Sequence, residues 1–368
     1  MLRKIFISLT TALIAFSAHS QDSTRTFVIS GSADGYYRYN FNDPKGGTNN
    51  YTSFTNSQNS FELGMATVRA DASAMSGKLS ATADLGFGRR AEEFSYPDGS
   101  GYPVGTGNKF NTLAAVKQLY INYTPGKYWT FTIGKWATHI GYEVLDAYAN
   151  RNYSMDYMFS YGPFSHTGIK AQYAKGNFGL MVGIANPSDN VTTASSTKTL
   201  IGQLSDSVGS FKLYLNYQGF FGSNLGLNPM GLKSMNQIDL VGSTAVSSKF
   251  GIGFNGTVQF RTTVADTAQT WWGAAVYLNY DPSAKIGWTL RGEYLGNSDY
   301  ALGLGKDMTD LTLSMNYRVG SQFTIIPELR FDGSGMASNG ASGIFYKADG
   351  STPTNSTFTG LLAVVYKF

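Results

Sequence analysis

The first residues to test for chemistry are His139 and His166, the two histidines that follow the N-terminal leader. Glu143 and Asp146 come soon after His139, but the spacing matches no strong ligand motif, so no metal site is expected. Ser165 directly precedes His166. Adjacent side chains on a strand point to opposite faces, and no GxSxG elbow is present, so no hydrolytic pair is expected. The stretch DGSG (98–101) resembles part of a calcium loop but lacks the later carboxylates such a loop uses, and it reads as a turn. These residues suggest no enzyme, no catalytic residue, no metal and no cofactor.

The remaining chemistry lies in charges set among aromatics. Asp34, Tyr36 and Arg38 share one face of a candidate strand. The same reading places Asp84 and Arg90, Arg261, Arg291 with Glu293, Arg318, and Glu328 with Arg330 on the polar faces of others. A charge on a lipid-facing surface would cost about 2–4 kcal/mol at mid-membrane, so these residues are expected to face a lumen. A second group, His139, Glu143, Asp146, Arg151 and Asp156, falls in a long run crowded with Tyr142, Tyr148, Tyr153, Tyr157 and Tyr161. A Tyr- and Met-rich connection of this kind needs a surface to bury against. It is expected to fold into the lumen as a constriction, its carboxylates facing the wall arginines. The competing reading is an ordered packing segment that only braces or caps the barrel.

The elements that would position these residues follow from period-two alternation and turn residues. Candidate strands fall near 26–41, 59–73, 78–90, 113–124, 128–137, 165–174, 178–186, 198–206, 209–221, 234–247, 249–262, 270–281, 285–297, 308–318, 322–332 and 357–368. Phe211, Leu213, Leu215 and Tyr217, for example, alternate with Lys212, Tyr214, Asn216 and Gln218. Short and long connections take turns along the whole chain, as periplasmic turns and outer loops do in a membrane barrel. The third long connection, 138–164, holds the aromatic run. Pro327 sits inside a candidate strand, which argues either against that strand or for a bulge there.

Composition agrees. Charged residues make up 14% of the chain, well below the roughly one quarter of a soluble domain. Gly and aromatic residues are abundant, and no apolar run beyond the N-terminus is long enough for a membrane helix. The fold class expected is therefore all-β, a transmembrane antiparallel β-barrel of about sixteen strands. Residues 1–20 read as a signal peptide, with Arg3 and Lys4 before an apolar core and Ala18-His19-Ser20 as the cleavage site, leaving the barrel on 21–368. Formal net charge is only +4, which gives no case for nucleic acid, and the absence of Cys excludes disulfides. Tyr123, Trp129, Trp272 and Trp288 are expected at the membrane interfaces.

Several blocks carry a resemblance. SADGYYRYNF (32–41), TSFTNSQNSFELGM (52–65), DLGFGRRAEEFSY (84–96), WATHIGYE (136–143), NRNYSM (150–155) and FSYGPF (159–164) resemble the beta-barrel porins of Bacteroidota, the OmpL-like family. The resemblance is strongest over about 30–187 and implies an outer-membrane porin-like channel. With no ATP site or plug domain visible in the sequence, passive diffusion of small hydrophilic solutes is the expected function. The alternative is a non-conducting outer-membrane wall, adhesin or receptor with a plugged lumen. The terminal Phe368, with Tyr366 before it, resembles the C-terminal signal read by the barrel-assembly machinery. Lipid and small solutes are the expected partners, and a homo-trimer is expected by analogy with barrels of this strand count.

Overall fold

A computed structural model describes residues 25–47, 49–96, 112–193, 196–221 and 231–368. The expected leader and the 98–101 turn lie outside them. The strands are β1 (Thr26–Asn40), β2 (Ser60–Ala74), β3 (Leu79–Phe87), β4 (Val116–Tyr123), β5 (Trp129–Ala137), β6 (Ser165–Lys175), β7 (Phe178–Ala185), β8 (Thr199–Val208), β9 (Phe211–Phe221), β10 (Leu232–Ala245), β11 (Phe250–Thr263), β12 (Ala268–Tyr280), β13 (Ile286–Gly296), β14 (Asp307–Val319) and β15 (Phe323–Ser334). A two-residue hairpin, β16 (Phe345–Tyr346) with β17 (Pro353–Thr354), stands in the last outer loop, and β18 (Ser356–Lys367) ends the chain. Two short helices, α1 (Arg89–Phe94) and α2 (Tyr157–Tyr161), lie in the second and third outer loops.

Each strand pairs antiparallel with its sequence neighbour, and β18 pairs with both β15 and β1, closing a sixteen-stranded barrel. At the seam Ser32 faces Lys367, and Gly31 and Phe368 exchange backbone hydrogen bonds of 3.0 and 3.1 Å. Closure removes every sheet edge, so strand backbone polar groups are paired inside the wall, as hydrocarbon requires.

The alternation resolves into two environments. On β14, Leu311, Leu313 and Tyr317 are exposed to the outside while Asp310, Thr312 and Ser314 are buried inside. Tyr123, Trp129, Trp272 and Trp288 are likewise exposed on the outer surface, where amphipathic rings suit the lipid boundary. Pro327 causes no slip. The register with β14 reads Ser314↔Glu328 and then Tyr317↔Ile325, while Pro327 pairs with Leu362 on the other side. The ring nitrogen that cannot donate thus sits where the ladder to β14 lapses.

Two local expectations are corrected. The third strand stops at Phe87, because Gly88 takes φ 110° and turns the chain into α1, so Arg90 stands on a loop helix rather than on the wall. A Cβ at position 88 would sit 2.7 Å from the Gly64 carbonyl oxygen, which leaves glycine as the fitting residue. The outer connection between β11 and β12 is only residues 264–267, as short as a periplasmic turn, since both strands run further than their alternation suggests.

Candidate functional site

The third outer loop, residues 138–164 and here called L3, folds into the barrel and runs its depth. Near its outer end Tyr157 and Met158 pack with Trp271, Leu295, Met308 and Phe345. At its inner end Tyr148 to Arg151 share a cavity wall with Gly320, Ser321 and Gln322 of a periplasmic turn. Only a single 3-10 turn (Ala147–Ala149) and α2 are regular, so most backbone N–H and C=O groups of L3 have no partner within the loop. Buried backbone groups must still be satisfied, and here the barrel wall and α1 do it.

Wall acceptors take the amides. Asp239 accepts from Gly141 N–H at 3.0 Å and Asn255 from Tyr142 N–H at 3.2 Å. Glu328 accepts from Tyr153 and Ser154, at 2.8 and 3.2 Å. Glu293 accepts from Tyr157 and Met158, at 2.7 and 2.8 Å. Arginines take the carbonyls. Arg90 donates to the Leu145 and Tyr153 oxygens, Arg291 to Ser154, and Arg330 to Met155. Arg90 also lies over the Tyr153 ring, 4.8 Å from its centroid, a placement that suits a planar cation.

Side chains complete the latch. Arg291 bonds Glu143 of L3 at 2.6 Å and Asp310 of the wall at 2.5 Å, and Arg330 bonds Asp332 and Asp310. Tyr153 donates to Asp34, Tyr157 to Asp332, and Tyr277 of the wall to Asp156. Asp156 also caps α2 by accepting from Phe159 N–H at 2.6 Å. Lys117 joins Asp146 of L3 to Asp84 of β3, at 2.6 and 3.2 Å. Burial pushes the Glu143 carboxyl up, and the Arg291 guanidinium beside it opposes that shift.

The loop shoulders are held in the same manner. Asp189, after β7, accepts from Phe164 and Ser165 N–H at 2.6 and 2.8 Å, and burial raises its carboxyl to about 6. His139 lies 5.2 Å from His166, ring centre to ring centre, and bonds the Tyr217 carbonyl through Nε2. Burial lowers His139 to about 4. Glu143 bonds Arg291 instead of joining the histidines. Among the described residues no group of three or more His, Cys, Asp or Glu side chains is placed to hold a metal.

Ten of the charged residues singled out by sequence gather in the latch around L3: Asp34, Asp84, Arg90, Glu143, Asp146, Asp156, Arg291, Glu293, Glu328 and Arg330. Loop carboxylate and wall arginine touch directly rather than across water. Arg151 and Arg318 meet lower down, both on Asp281, at 2.9 and 2.8 Å. Arg38 serves the first loop, donating to the Ser57 carbonyl at 2.6 Å. Arg261 is half-buried at the outer end of β11 and bonds Gln269 at 3.2 Å.

Sequence reasoning missed Asp310, Asp332, Asp239, Asp281, Lys117 and Asp189. Asp310 and Asp332 share the inward parity of Thr312 and Arg330, so alternation could have found them. Lys117 has the parity of the outward Leu119 and Ile121, and only a register shift beside Asp84 turns it inside.

The inward faces are packed around the ring. Thr82, Thr132, Met181, Ile201, Gln218, Gln237, Thr257, Ala275, Arg291, Ser314 and Ala363 are each under 7% exposed, although all belong to a wall that encloses a lumen. L3 fills much of that space at mid-height.

A closed sixteen-stranded antiparallel barrel, apolar outside and polar inside with a loop folded into its lumen, has the architecture of an outer-membrane porin. Solved porins share it. The anion-selective porin from Comamonas acidovorans aligns with a TM-score of 0.62 at 12% identity, over 94% of this chain and 100% of that one. The outer membrane channel DcaP of Acinetobacter baumannii gives 0.60 at 11% identity, over 95% and 99%. The trimer form of OmpT from Vibrio cholerae gives 0.57 at 13% identity, over 94% and 100%. No curated protein sequence matches the chain. The family described as "Putative beta-barrel porin-2, OmpL-like" matches residues 26–368, and the chain belongs to it.

Proposed function

We propose that this porin works by passive diffusion of small hydrophilic solutes across the outer membrane, with L3 setting what passes. The observation that carries the proposal is the sidedness of the wall. Polar and charged side chains point inward on strand after strand around a closed ring, which suits a hydrated path and would be costly against lipid. Asp34, Asp84, Arg90, Glu143, Asp146, Arg151, Asp156, Arg261, Arg291, Glu293, Arg318, Glu328 and Arg330, with Arg38 above them, would line or constrict that path. No catalytic role is proposed for any of them.

Residues 1–20 would direct export as a signal peptide, and Phe368 at the barrel seam would be read during assembly. The trimer form of the Vibrio cholerae protein supports a homo-trimer for this chain. One observation favours a second reading. The burial of inward residues at mid-height suits a lumen that L3 plugs at rest, as in a non-conducting outer-membrane protein.

Single-channel recording on purified, heat-modifiable protein separates the two. Stable openings are expected, and deleting residues 140–160 should enlarge them. A correctly folded barrel that stays silent in both forms would overturn the diffusion reading.

A further inference from the structure

Below L3 the lumen opens into two chambers, and their charge differs in kind from the latch above. The larger, of about 500 Å³, lies between Tyr142 and Arg151 of L3 and the periplasmic ends of β9 to β12. Lys212 and Lys249 line it, together with hydroxyls of Ser210, Ser243 and Thr244. The smaller, of about 220 Å³, shares Arg151 and adds Arg318 and Lys367. In the two together five basic side chains stand against one carboxylate, Asp281. That carboxylate is already engaged by Arg151 and Arg318. Among the described residues no carboxylate lies within 4.0 Å of Lys212 or Lys249, whereas each latch arginine, Arg291 and Arg330, has acidic partners.

We propose that this periplasmic vestibule binds small anionic solutes that carry carboxylate or phosphate groups, and so gives the channel its solute class. The proposal rests on the diffusion reading only for its consequence in transport. Lys212 belongs to the inward face of β9, with Asn216 and Gln218, and its partner across the ladder is Ser243. It therefore points into the chamber, away from lipid. Uncompensated cations in a cleft with low-dielectric walls concentrate anions by focusing the field. Exposed lysines and hydroxyls bind such groups weakly, as a conducting path needs, since a solute held too tightly does not leave. The cations of the latch cannot do this, because their donors are spent on L3 carbonyls and buried carboxylates.

The test begins without transport. Folded protein is placed in an uncharged, phosphate-free detergent with inorganic phosphate in solution, which removes lipid headgroups as a source. The ³¹P resonance of phosphate should broaden with the wild type, and excess citrate should reverse it. K212Q/K249Q should weaken binding roughly fivefold for each lysine removed, while K285Q, in a turn outside both chambers, should leave it unchanged. Lys249 lies in an exposed turn, so K249Q alone provides a variant with no folding risk.

In planar bilayers under a KCl gradient, the wild-type reversal potential should fall on the anion side and K212E/K249E should move it to the cation side. Broadening that is absent from the wild type, or unaltered in K212Q/K249Q, overturns the site. Lysine-dependent broadening by a barrel that never conducts upholds the site and defeats the diffusion reading.

Discussion

Arg291→Met isolates what holds L3 in the lumen. The wild-type guanidinium is fully buried and bonds Glu143 and Ser154 O on the loop, and Asp310 and Thr312 on the wall. Met fills similar volume with no charge. Asp310 keeps Arg330 at 3.1 Å, so the loss falls mainly on Glu143. That carboxylate would stay buried and keep the Asp156 N–H, at 2.9 Å, as a donor. Removing one partner of a buried ion pair costs about 3–5 kcal/mol. The barrel ladders do not involve Arg291's side chain, so the cost is borne by the docking of L3 rather than by the wall.

A shift of that size changes the ratio of latched to released loop by roughly a hundred- to several-thousand-fold. Protonation of Glu143, which burial favours, limits the penalty and places the effect toward the lower end, more so at acidic pH. Single-channel conductance of R291M should therefore rise, with heat-modifiability retained as proof of an intact barrel. R291M/E143Q should restore much of the wild-type value, because the stranded charge is gone. Folded R291M with unchanged conductance, or a double variant no different from R291M, would refute the latch as the controlling element.

Other expectations rest on separate contacts. Gly64 faces the Asp34–Tyr153 pair so closely that an added Cβ would strike Asp34 Oδ1 and come within 2.5 Å of the Tyr153 hydroxyl. Gly64→Ala should displace that hydrogen bond and raise protease cleavage within L3; unaltered cleavage kinetics would contradict it. His139 is held neutral, its folded value lowered from 6.5 to about 4. The stability it lends is complete above about pH 6.5 and is lost as pH falls through 4, roughly 3 kcal/mol in all. Acidification across that window should loosen the L3 shoulder in hydrogen exchange, and His139→Gln should blunt the response. Asp189, raised to about 6, has the opposite sense. Its contribution is complete below about pH 3.8 and fades as pH rises through 6, so Asp189→Asn should make Phe164 and Ser165 exchange more slowly than the wild type at pH 7. Equal rates would count against it.

The wall was legible because period two is a direct consequence of a pleated sheet with lipid on one side and a lumen on the other. Even the weakest alternation, near 198–206, corresponds to β8. The position of L3 was legible for a related reason: Tyr153, Met155 and Tyr157 need burial, and a closed barrel offers them only its interior. The roles of the charges were less accessible. Sequence displays Glu328 and Glu293 as charges, and charge suggests a field. It does not display the unpaired amides of Tyr153 or Tyr157, which exist only once the loop has abandoned regular structure. Lys117 was hidden by a bulge, and the placement of Arg90 on a loop helix by the turn at Gly88, both of which break the parity on which the reading depends.

A carboxylate that accepts two amides and a guanidinium that donates to carbonyls are both spent locally, and neither projects its full charge into a water-filled path. Charge pairs such as Arg291–Glu143 and Arg330–Asp332 also cancel at the distance of a passing ion. What would reach a solute is the remainder, and below L3 the remainder is Lys212 and Lys249 facing hydroxyls, with Lys367 in the smaller chamber. On the proposed reading, the residues richest in charge would decide whether the lumen is open, and the sparser lysines beneath them would decide which solutes dwell there.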